Sequence, residues 1–169
     1  MLTIGHSTHP IGEFISILEA HGVDVLADVR TIPRSRHNPQ FNRDSLASSL
    51  AEAEMRYIAM PGLGGLRHPR PDSPHTAWRN ASFRGYAGYM QTAEFRENLD
   101  RLIDLSRQAP TAIMCAEAVP WRCHRWLIAD ALVVLGIPVE HIMTATSARP
   151  HQVTPFARVE GKQIIYDAA

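Results

Sequence analysis

Short apolar runs alternate along the chain with longer segments of helical periodicity. Apolar runs rich in Val, Ile and Leu are typical of strands buried on both faces of a parallel sheet. The intervening segments carry apolar residues three or four positions apart, which predicts amphipathic helices. The predicted strands are residues 2–6, 23–29, 56–60, 111–116 and 139–143, and the predicted helices are residues 11–21, 44–54, 92–108 and 126–135.

This alternation of strands and helices predicts an α/β fold. A strand–helix–strand order implies parallel strands joined by right-handed crossovers. We therefore expect a three-layer, Rossmann-like, mostly parallel sheet with the strand order 3-2-1-4-5. Residues 156–166 predict a hairpin that turns at Glu160 and Gly161, so a C-terminal hairpin or edge strand should complete the fold.

Length, charge and hydropathy narrow the class of protein. A chain of 169 residues fits one domain with one core, so residues 1–169 are expected to form a single α/β domain. The net charge of zero gives no bulk electrostatic support for nucleic-acid binding. No stretch resembles a secretory signal or reaches membrane-spanning length, so we expect a cytoplasmic protein with no membrane partner.

The densest group of chemically active side chains follows the apolar strand at 111–116. Both cysteines of the chain lie here, within eight residues of each other. A turn that serves only to join a strand to a helix needs no thiol, imidazole or guanidinium group. The connection therefore indicates a site for an anion or for thiol chemistry. Its polar residues are Cys115, Glu117, Arg122, Cys123, His124 and Arg125.

Polar residues also follow the first two predicted strands. His6 and Ser7 come after the first strand, and Asp28, Arg30 and Arg34 come at or after the end of the second. In open α/β sheets, ligands bind beyond the carboxyl ends of the strands, where the strand order reverses. We therefore expect these side chains to surround one pocket together with the 115–125 connection.

Residues 61–89 are too many for an ordinary connection, and segments of this length are often lids or binding loops. Gly64 and Gly65 follow a strand and are typical of a tight turn, although consecutive glycines can also form a backbone nest for an anion. The segment contains several aromatic residues, so we expect it to pack over the pocket, with Tyr86 or Trp78 in the wall.

Taken together, these short motifs resemble the domain-of-unknown-function 488 family. The most specific is the C-x-E-x5-C-H-R spacing, and the resemblance spans about residues 4–142. It implies a Rossmann-like domain from a bacterial or archaeal cytoplasm, with no established activity. The residues that carry it are Gly5-His6-Ser7, Asp28-Val29-Arg30 with Pro33 and Ser35, Leu63-Gly64-Gly65, Tyr86, Tyr89-Met90, Cys115-Ala116-Glu117 and Cys123-His124-Arg125.

The first functional hypothesis is a thiol-dependent hydrolase or transferase acting on a small anionic, phosphorylated or nucleotide-like ligand. Neighbouring cations and a helix N-terminus lower the pKa of a thiol, which favours Cys123 as the nucleophile over Cys115. We expect the two thiols to lie close together and to be reduced. The candidate catalytic residues are Cys115, Glu117, Cys123, His124 and His6. The candidate ligand-binding residues are Ser7, Asp28, Arg30, Arg34, Arg122, Arg125, Gly64, Gly65 and Tyr86.

Three other hypotheses use the same residues differently. A nucleic-acid-binding module would contact phosphates through arginines and stack bases on aromatic rings. A metal or redox site would use the two cysteines with His124 and His6, although no C-x2-C spacing is present. A purely structural cluster would only hold the strand–helix turn. The sequence assigns no cofactor. The residues of the nucleic-acid hypothesis are Arg34, Arg36, Arg67, Arg70, Arg79, Arg84, Trp78, Phe83 and Tyr86.

Overall fold

The computed structural model describes residues 1–168, and these form a six-stranded, mostly parallel sheet with helices on both faces. The predicted α/β class is confirmed. The strands are β1 (Leu2–Gly5), β2 (Val25–Asp28), β3 (Arg56–Ala59), β4 (Thr111–Cys115), β5 (Glu140–Thr144), β6 (Ser147–Pro150), β7 (Arg158–Glu160) and β8 (Gln163–Ile165). The helices are α1 (Ile11–Ala20), α2 (Arg43–Glu52), α3 (Ala81–Tyr89), α4 (Ala93–Gln108) and α5 (Arg125–Val134).

The strand order is β3-β2-β4-β1-β5-β6, which corrects the predicted order 3-2-1-4-5. β4 lies between β2 and β1 and pairs in parallel with both. The prediction placed β2 beside β1 because consecutive strands are usually neighbours. Both orders bury the same apolar strands, so the choice depends on packing between distant segments. The predicted contact between β1 and β4 is confirmed, and it brings Gly5 opposite Cys115.

Alternate residues of the central strands face two separate cores. On one face, Met114 of β4 packs in a cluster with apolar residues of α1 and α2. On the other face, Ile113 and Cys115 pack in a cluster with residues of α3, α4 and α5. Because successive side chains of a strand point to opposite faces, the thiol of Cys115 belongs to the layer that contains α5. This parity places it on the same side as Cys123.

Residues 61–89 contain a helix that the apolar pattern did not predict. Two glycines, Gly85 and Gly88, lower the helix propensity of α3 by about 1 kcal/mol each relative to alanine. Asn80 offsets part of this cost because its side-chain oxygen accepts hydrogen bonds from the backbone N–H groups of Ser82 and Phe83. The buried face of α3 supplies the rest, so tertiary packing decides the conformation.

The C-terminal part of the chain forms two hairpins. β5 and β6 pair antiparallel, which makes β6 an edge strand of the main sheet. β7 and β8 form a separate two-stranded sheet whose turn contains Gly161 at φ 62°, so the hairpin predicted at residues 156–166 is confirmed. Within residues 1–168, none of the helices has the length and apolar character needed to span a bilayer.

Candidate functional site

A pocket of about 390 Å³ opens at the carboxyl ends of β2 and β4. Three parts of the chain surround it: the loop after β2, the connection from β4 to α5, and the segment that leads into α3. Eight of the predicted site residues line the pocket, namely Arg30, Arg34, Gly65, Cys115, Glu117, Arg122, Cys123 and His124. Six others do not line it, namely His6, Ser7, Asp28, Gly64, Tyr86 and Arg125.

Arg30 is held in place by a buried carboxylate. Its Nε and Nη2 atoms donate to the two carboxylate oxygens of Asp28 at 2.9 and 2.7 Å, and Nη2 also donates to the carbonyl of Phe41. Tyr57 donates its hydroxyl to the same carboxylate at 2.5 Å, and the burial of Tyr57 together with this bond raises its pKa. Asp28 therefore lies behind Arg30 and orients its guanidinium group toward the pocket.

His6 supports Arg30 from the end of β1. The Nδ1–H group of His6 donates to the carbonyl of Ser7 at 2.8 Å, which leaves Nε2 to accept from Arg30 Nη1 at 3.4 Å. The ring stacks on Phe41 with centroids 4.1 Å apart. Burial is the main reason that the pKa of His6 lies below its usual value, with the charge of Arg30 adding to the effect. His6 is thus a neutral neighbour of Arg30, and it contacts Arg30 without lining the pocket itself.

The two cysteines meet at the base of the pocket. The sulfur atoms of Cys115 and Cys123 are adjacent, while their Cα atoms lie 7.7 Å apart, beyond the separation of about 7 Å that a disulfide spans. The expectation that the two thiols lie close together is confirmed, and the expectation that they are reduced stays a prediction. Both side chains are almost fully buried by the surrounding protein and yet line the pocket wall.

Cys123 lies at the N-terminus of α5. Its Sγ atom accepts the backbone N–H of Arg125 at 3.5 Å and lies 3.5 Å from Nδ1 of His124. Free N–H groups at a helix N-terminus favour negative charge. The sulfur of Cys123 therefore occupies a position where a thiolate would be stabilised by the backbone.

His124 has a single tautomer compatible with its contacts. Because the carbonyl of Val29 can only accept, Nε2 of His124 carries the proton and donates to it at 2.8 Å. The unprotonated Nδ1 then faces Cys123. Burial lowers the pKa of His124 to about 4, and the charges of Arg125 and Arg67 contribute to the shift. At neutral pH the ring is uncharged and presents an acceptor to the thiol.

Arg125 is fully buried and has no carboxylate side chain among its hydrogen-bond partners. Its Nη2 donates to the carbonyls of Glu117 and Ala118 at 2.7 and 3.4 Å, and its Nη1 donates to Thr3 Oγ1 at 3.0 Å. Burial lowers the pKa of its guanidinium group to about 10, while the charge of Glu117 opposes the shift. Arg125 fixes the backbone from which Glu117 projects, rather than reaching the pocket itself.

A chain of buried hydrogen bonds connects Arg125 to Asp130. Thr3, which accepts from Arg125, donates its hydroxyl to His141 Nδ1 at 2.6 Å. His141 Nε2 hydrogen-bonds to His151 Nδ1 at 2.8 Å, and His151 Nε2 hydrogen-bonds to Asp130 at 2.7 Å. The cation of Arg125 and the anion of Asp130 stand at the two ends of this chain. Burial lowers the pKa of His141 to about 3, which agrees with a neutral ring.

The segment before α3 approaches His124 closely. A Cβ atom added at Gly65 would lie 2.6 Å from His124 Nδ1, so only glycine allows this approach. Tyr86 packs behind His124, with ring centroids 5.2 Å apart, and donates its hydroxyl to the carbonyl of Leu63 at 2.8 Å. The segment covers the pocket as expected, but neither Tyr86 nor Trp78 lines it.

Sequence reasoning missed the uncharged part of the pocket wall and the support behind Arg125. The missed wall residues are Thr31, Ile32, Leu66, Ser82 and Ala116, and Phe83 was predicted only as a stacking ring for nucleic acid. The missed support residues are Thr3, His141, His151 and Asp130. One signal was available in the sequence: Asp130 is the lone carboxylate of a mostly apolar helix, where an unpaired carboxylate would be costly to bury.

The nucleic-acid hypothesis depends on aromatic rings and arginines that are free to contact a ligand. Tyr86 is fully buried and has no face on which a base could stack, and Trp78 packs against Phe83, Phe156 and Tyr166. Arg84 donates to the backbone carbonyls of Trp78 and Arg79. Arg67 lies over the ring of Tyr89. This arrangement gives the hypothesis no support.

The metal hypothesis required His6 to join the two cysteines and His124. Both ring nitrogens of His6 are instead engaged, one with the carbonyl of Ser7 and one with Arg30. Over residues 1–168, no group of three or more His, Cys, Asp or Glu side chains is placed to hold a metal ion. The two cysteines therefore form a pair without further ligands of this kind.

Comparison with known proteins identifies a family. A model described as domain of unknown function DUF488 matches residues 10–132, which include Asp28, Arg30, both cysteines and His124. The matched segment does not include β1 with His6. No curated protein and no solved structure matches the chain. Because the matched segment covers well over half of the sequence, this chain belongs to the family described as domain of unknown function DUF488.

Proposed function

We propose that this protein is a thiol-dependent hydrolase or transferase that acts on a small anionic ligand bound in the pocket. The observation that carries the proposal is the position of Cys123. Its sulfur lines the pocket, accepts a backbone N–H at the N-terminus of α5 and faces the unprotonated nitrogen of His124. These are the surroundings in which cysteine acts as a nucleophile.

Cys123 is better placed than Cys115 to be the nucleophile. The helix N-terminus and the neighbouring Arg122 both favour its thiolate. The sulfur of Cys115 instead lies 4.0 Å from the carbonyl of Glu117, which would favour the protonated thiol. Cys115 is therefore less suited to be the nucleophile, and its sulfur lies beside that of Cys123.

The chemical step would proceed by covalent catalysis. Cys123 loses its proton toward His124 Nδ1, and its thiolate attacks an acyl carbon or a phosphorus atom of the ligand while the leaving group departs. Water in a hydrolase, or a second nucleophile in a transferase, then attacks the intermediate and releases the thiolate. Because the pKa of His124 is about 4, this ring holds the proton only transiently, and the helix N-terminus and arginines carry most of the thiolate stabilisation.

The charges of the pocket favour an anionic ligand. Three arginines, Arg30, Arg34 and Arg122, line it, and Glu117 is the carboxylate among its lining residues. The charge of Arg30 is balanced by Asp28, whereas Arg34 and Arg122 are exposed to solvent. Planar guanidinium groups suit carboxylate and phosphate groups because they donate two parallel hydrogen bonds. Arg34 and Arg122 are therefore the groups expected to bind the ligand's charge.

The test measures the thiol pKa directly. In reduced Cys115→Ala protein, the rate of alkylation of Cys123 against pH should give a pKa at least about one unit below the free value of 8.5. Cys115 in the Cys123→Ala protein is the matched control and should show no such lowering. Methylphosphonate should protect Cys123 in the Cys115→Ala protein, and adding Arg122→Gln should remove the protection. If neither thiol has a lowered pKa, the thiol-nucleophile proposal is rejected.

The proximity of the two sulfurs favours a second candidate, a dithiol redox site. Here the thiolate of Cys123 attacks a disulfide of the substrate and forms a mixed disulfide. Cys115 then attacks the sulfur of Cys123, which releases the second substrate thiol and leaves Cys115 and Cys123 joined. The substrate gains two electrons, and the two cysteines lose them.

Trapping of the thiols distinguishes the dithiol redox site from the thiol-dependent hydrolase or transferase. Reduced protein incubated with oxidised glutathione should lose both alkylatable thiols together, and dithiothreitol should restore both. The Cys115→Ala protein should instead stop at one stable mixed disulfide with glutathione. Formation of mixed disulfides at both cysteines of the unmodified protein, without a Cys115–Cys123 bond, would exclude the dithiol site.

A further inference from the structure

The walls of the pocket differ in character. The wall from β4 and α5 carries charged and polar groups, among them Glu117, Arg122 and His124. The covering segment, from the loop before α3 and its first turn, contributes no charged residue. Its contribution is Gly65, Leu66, Ser82 and Phe83. The loop after β2 contributes Arg30 and Arg34 as well as Ile32, so a ligand bound here would meet ionic groups on two walls and a largely apolar surface on the covering segment.

Two of the apolar side chains at this pocket are left unusually exposed. Ile32, from the loop after β2, is 57% exposed, and Leu66, from the covering segment, is 70% exposed. They belong to separate loops and yet line the same pocket. Within residues 1–168 only five large apolar side chains are exposed. Besides Ile32 and Leu66, they include Trp121, which is 49% exposed and directly precedes the pocket residue Arg122. Exposed apolar side chains that converge on one concavity are typical of a binding site.

We infer that the pocket takes a ligand in which an anionic phosphate or carboxylate group is joined to an apolar aryl or branched alkyl body. The anionic group would lie against Arg122 and the N-terminus of α5, next to Cys123. The apolar body would lie between Ile32, Leu66 and Phe83. This inference rests on the proposed function, because the anionic group is placed by the same arginines. The inference adds that the ligand needs an apolar body, so inorganic phosphate and highly polar phosphorylated ligands would bind weakly.

A pair of probes with the same anionic group and different bodies tests this inference. Phenylphosphonate and methylphosphonate are compared on reduced protein by their protection of Cys123 from alkylation and by calorimetric titration. Phenylphosphonate should bind at least about tenfold more tightly, because its ring would remove apolar surface of the pocket from water. Leu66→Ser and Ile32→Ser should each weaken phenylphosphonate binding by about fivefold and leave methylphosphonate binding within about twofold.

The exposure of both residues keeps the variants interpretable, since their replacement removes little buried surface from the fold. Val159→Ser, at a side chain 48% exposed on the distant β7–β8 hairpin, is the matched control and should change neither affinity. If phenylphosphonate binds no more tightly than methylphosphonate, this inference is wrong, but the proposal that the pocket binds an anion is unaffected. If neither compound binds at millimolar concentration, both the inference and the anion site are wrong. If phenylphosphonate binds through Leu66 but no thiol pKa is lowered, the pocket stands and the thiol chemistry is rejected.

Discussion

Replacing Arg125 with methionine should lower the free energy of unfolding by about 3–5 kcal/mol, because it breaks a fully buried charged network by removing one member. The carbonyls of Glu117 and Ala118 would each lose a donor, and the hydroxyl of Thr3 would lose another. Methionine has a similar length and fills the space without supplying a donor. Asp130, at the far end of the hydrogen-bonded chain, would remain buried without its opposite charge.

Denaturation by urea measures this loss. The matched control is Arg107→Met, at a mostly exposed arginine paired with Asp104 on α4, which should change stability by less than about 0.5 kcal/mol. Since a domain of this size is stabilised by roughly 5–15 kcal/mol, Arg125→Met should also show a much lower midpoint. A loss below about 1 kcal/mol would show that the hydrogen-bonded chain contributes little to stability and that an apolar side chain can replace Arg125.

Acid should destabilise the protein well above the pH at which carboxylates titrate. The pKa of His124 is lowered to about 4 and that of His141 to about 3, chiefly by burial, so the folded chain keeps both rings neutral. The unfolded chain binds a proton at each ring below pH of about 6.5. Stability should therefore be complete above pH 6.5 and fall as the pH decreases toward 4, by up to about 1.4 kcal/mol per pH unit for each ring. Lowered pKa values of His6 and His75 act in the same direction.

Urea denaturation between pH 7 and 4.5 gives this slope. His124→Gln preserves a donor to the carbonyl of Val29 and removes one titrating ring, so the slope should decrease by about 1.4 kcal/mol per pH unit. His37→Gln, at an exposed histidine of the loop after β2, serves as the control and should leave the curve unchanged. A slope that His124→Gln leaves intact would mean that this ring is protonated in the folded protein.

The hydrogen-bonded network that runs from Arg125 to Asp130 joins parts of the chain that are distant in sequence. Arg125 begins α5, Thr3 lies on β1 and His141 lies on β5. The network therefore holds the first strand and the edge hairpin to α5, the helix that Cys123 precedes. Because Arg125 also binds the carbonyl of Glu117, the position of the pocket wall depends on these distant elements. Two hydrogen-bonded histidines, His141 and His151, between one cation and one anion explain how the charges are tolerated away from water.

Much of the candidate site could be predicted because its residues follow strands. The parallel sheet brings strand ends to one edge, so Arg30, Cys115 and Glu117 lie together even though the predicted strand order was wrong. The error changed which strand ends form the pocket: because β4 pairs directly with β2, the pocket opens at these two strands and not at β1 and β4. The prediction failed for His6 and Arg125, since a sequence motif does not reveal whether a side chain enters a pocket or turns behind it.

Local patterns were sufficient for the α/β class, for most of its elements and for the hairpin at Gly161, because strands, amphipathic helices and tight turns each depend on residues a few positions apart. Tertiary contacts alone decided the insertion of β4 between β2 and β1, the helical state of α3 and the chain from Arg125 to Asp130. Each of these depends on packing or hydrogen bonding between residues far apart in sequence, where several arrangements bury the same apolar surface. Only the folded chain selects the one that also satisfies its buried polar groups.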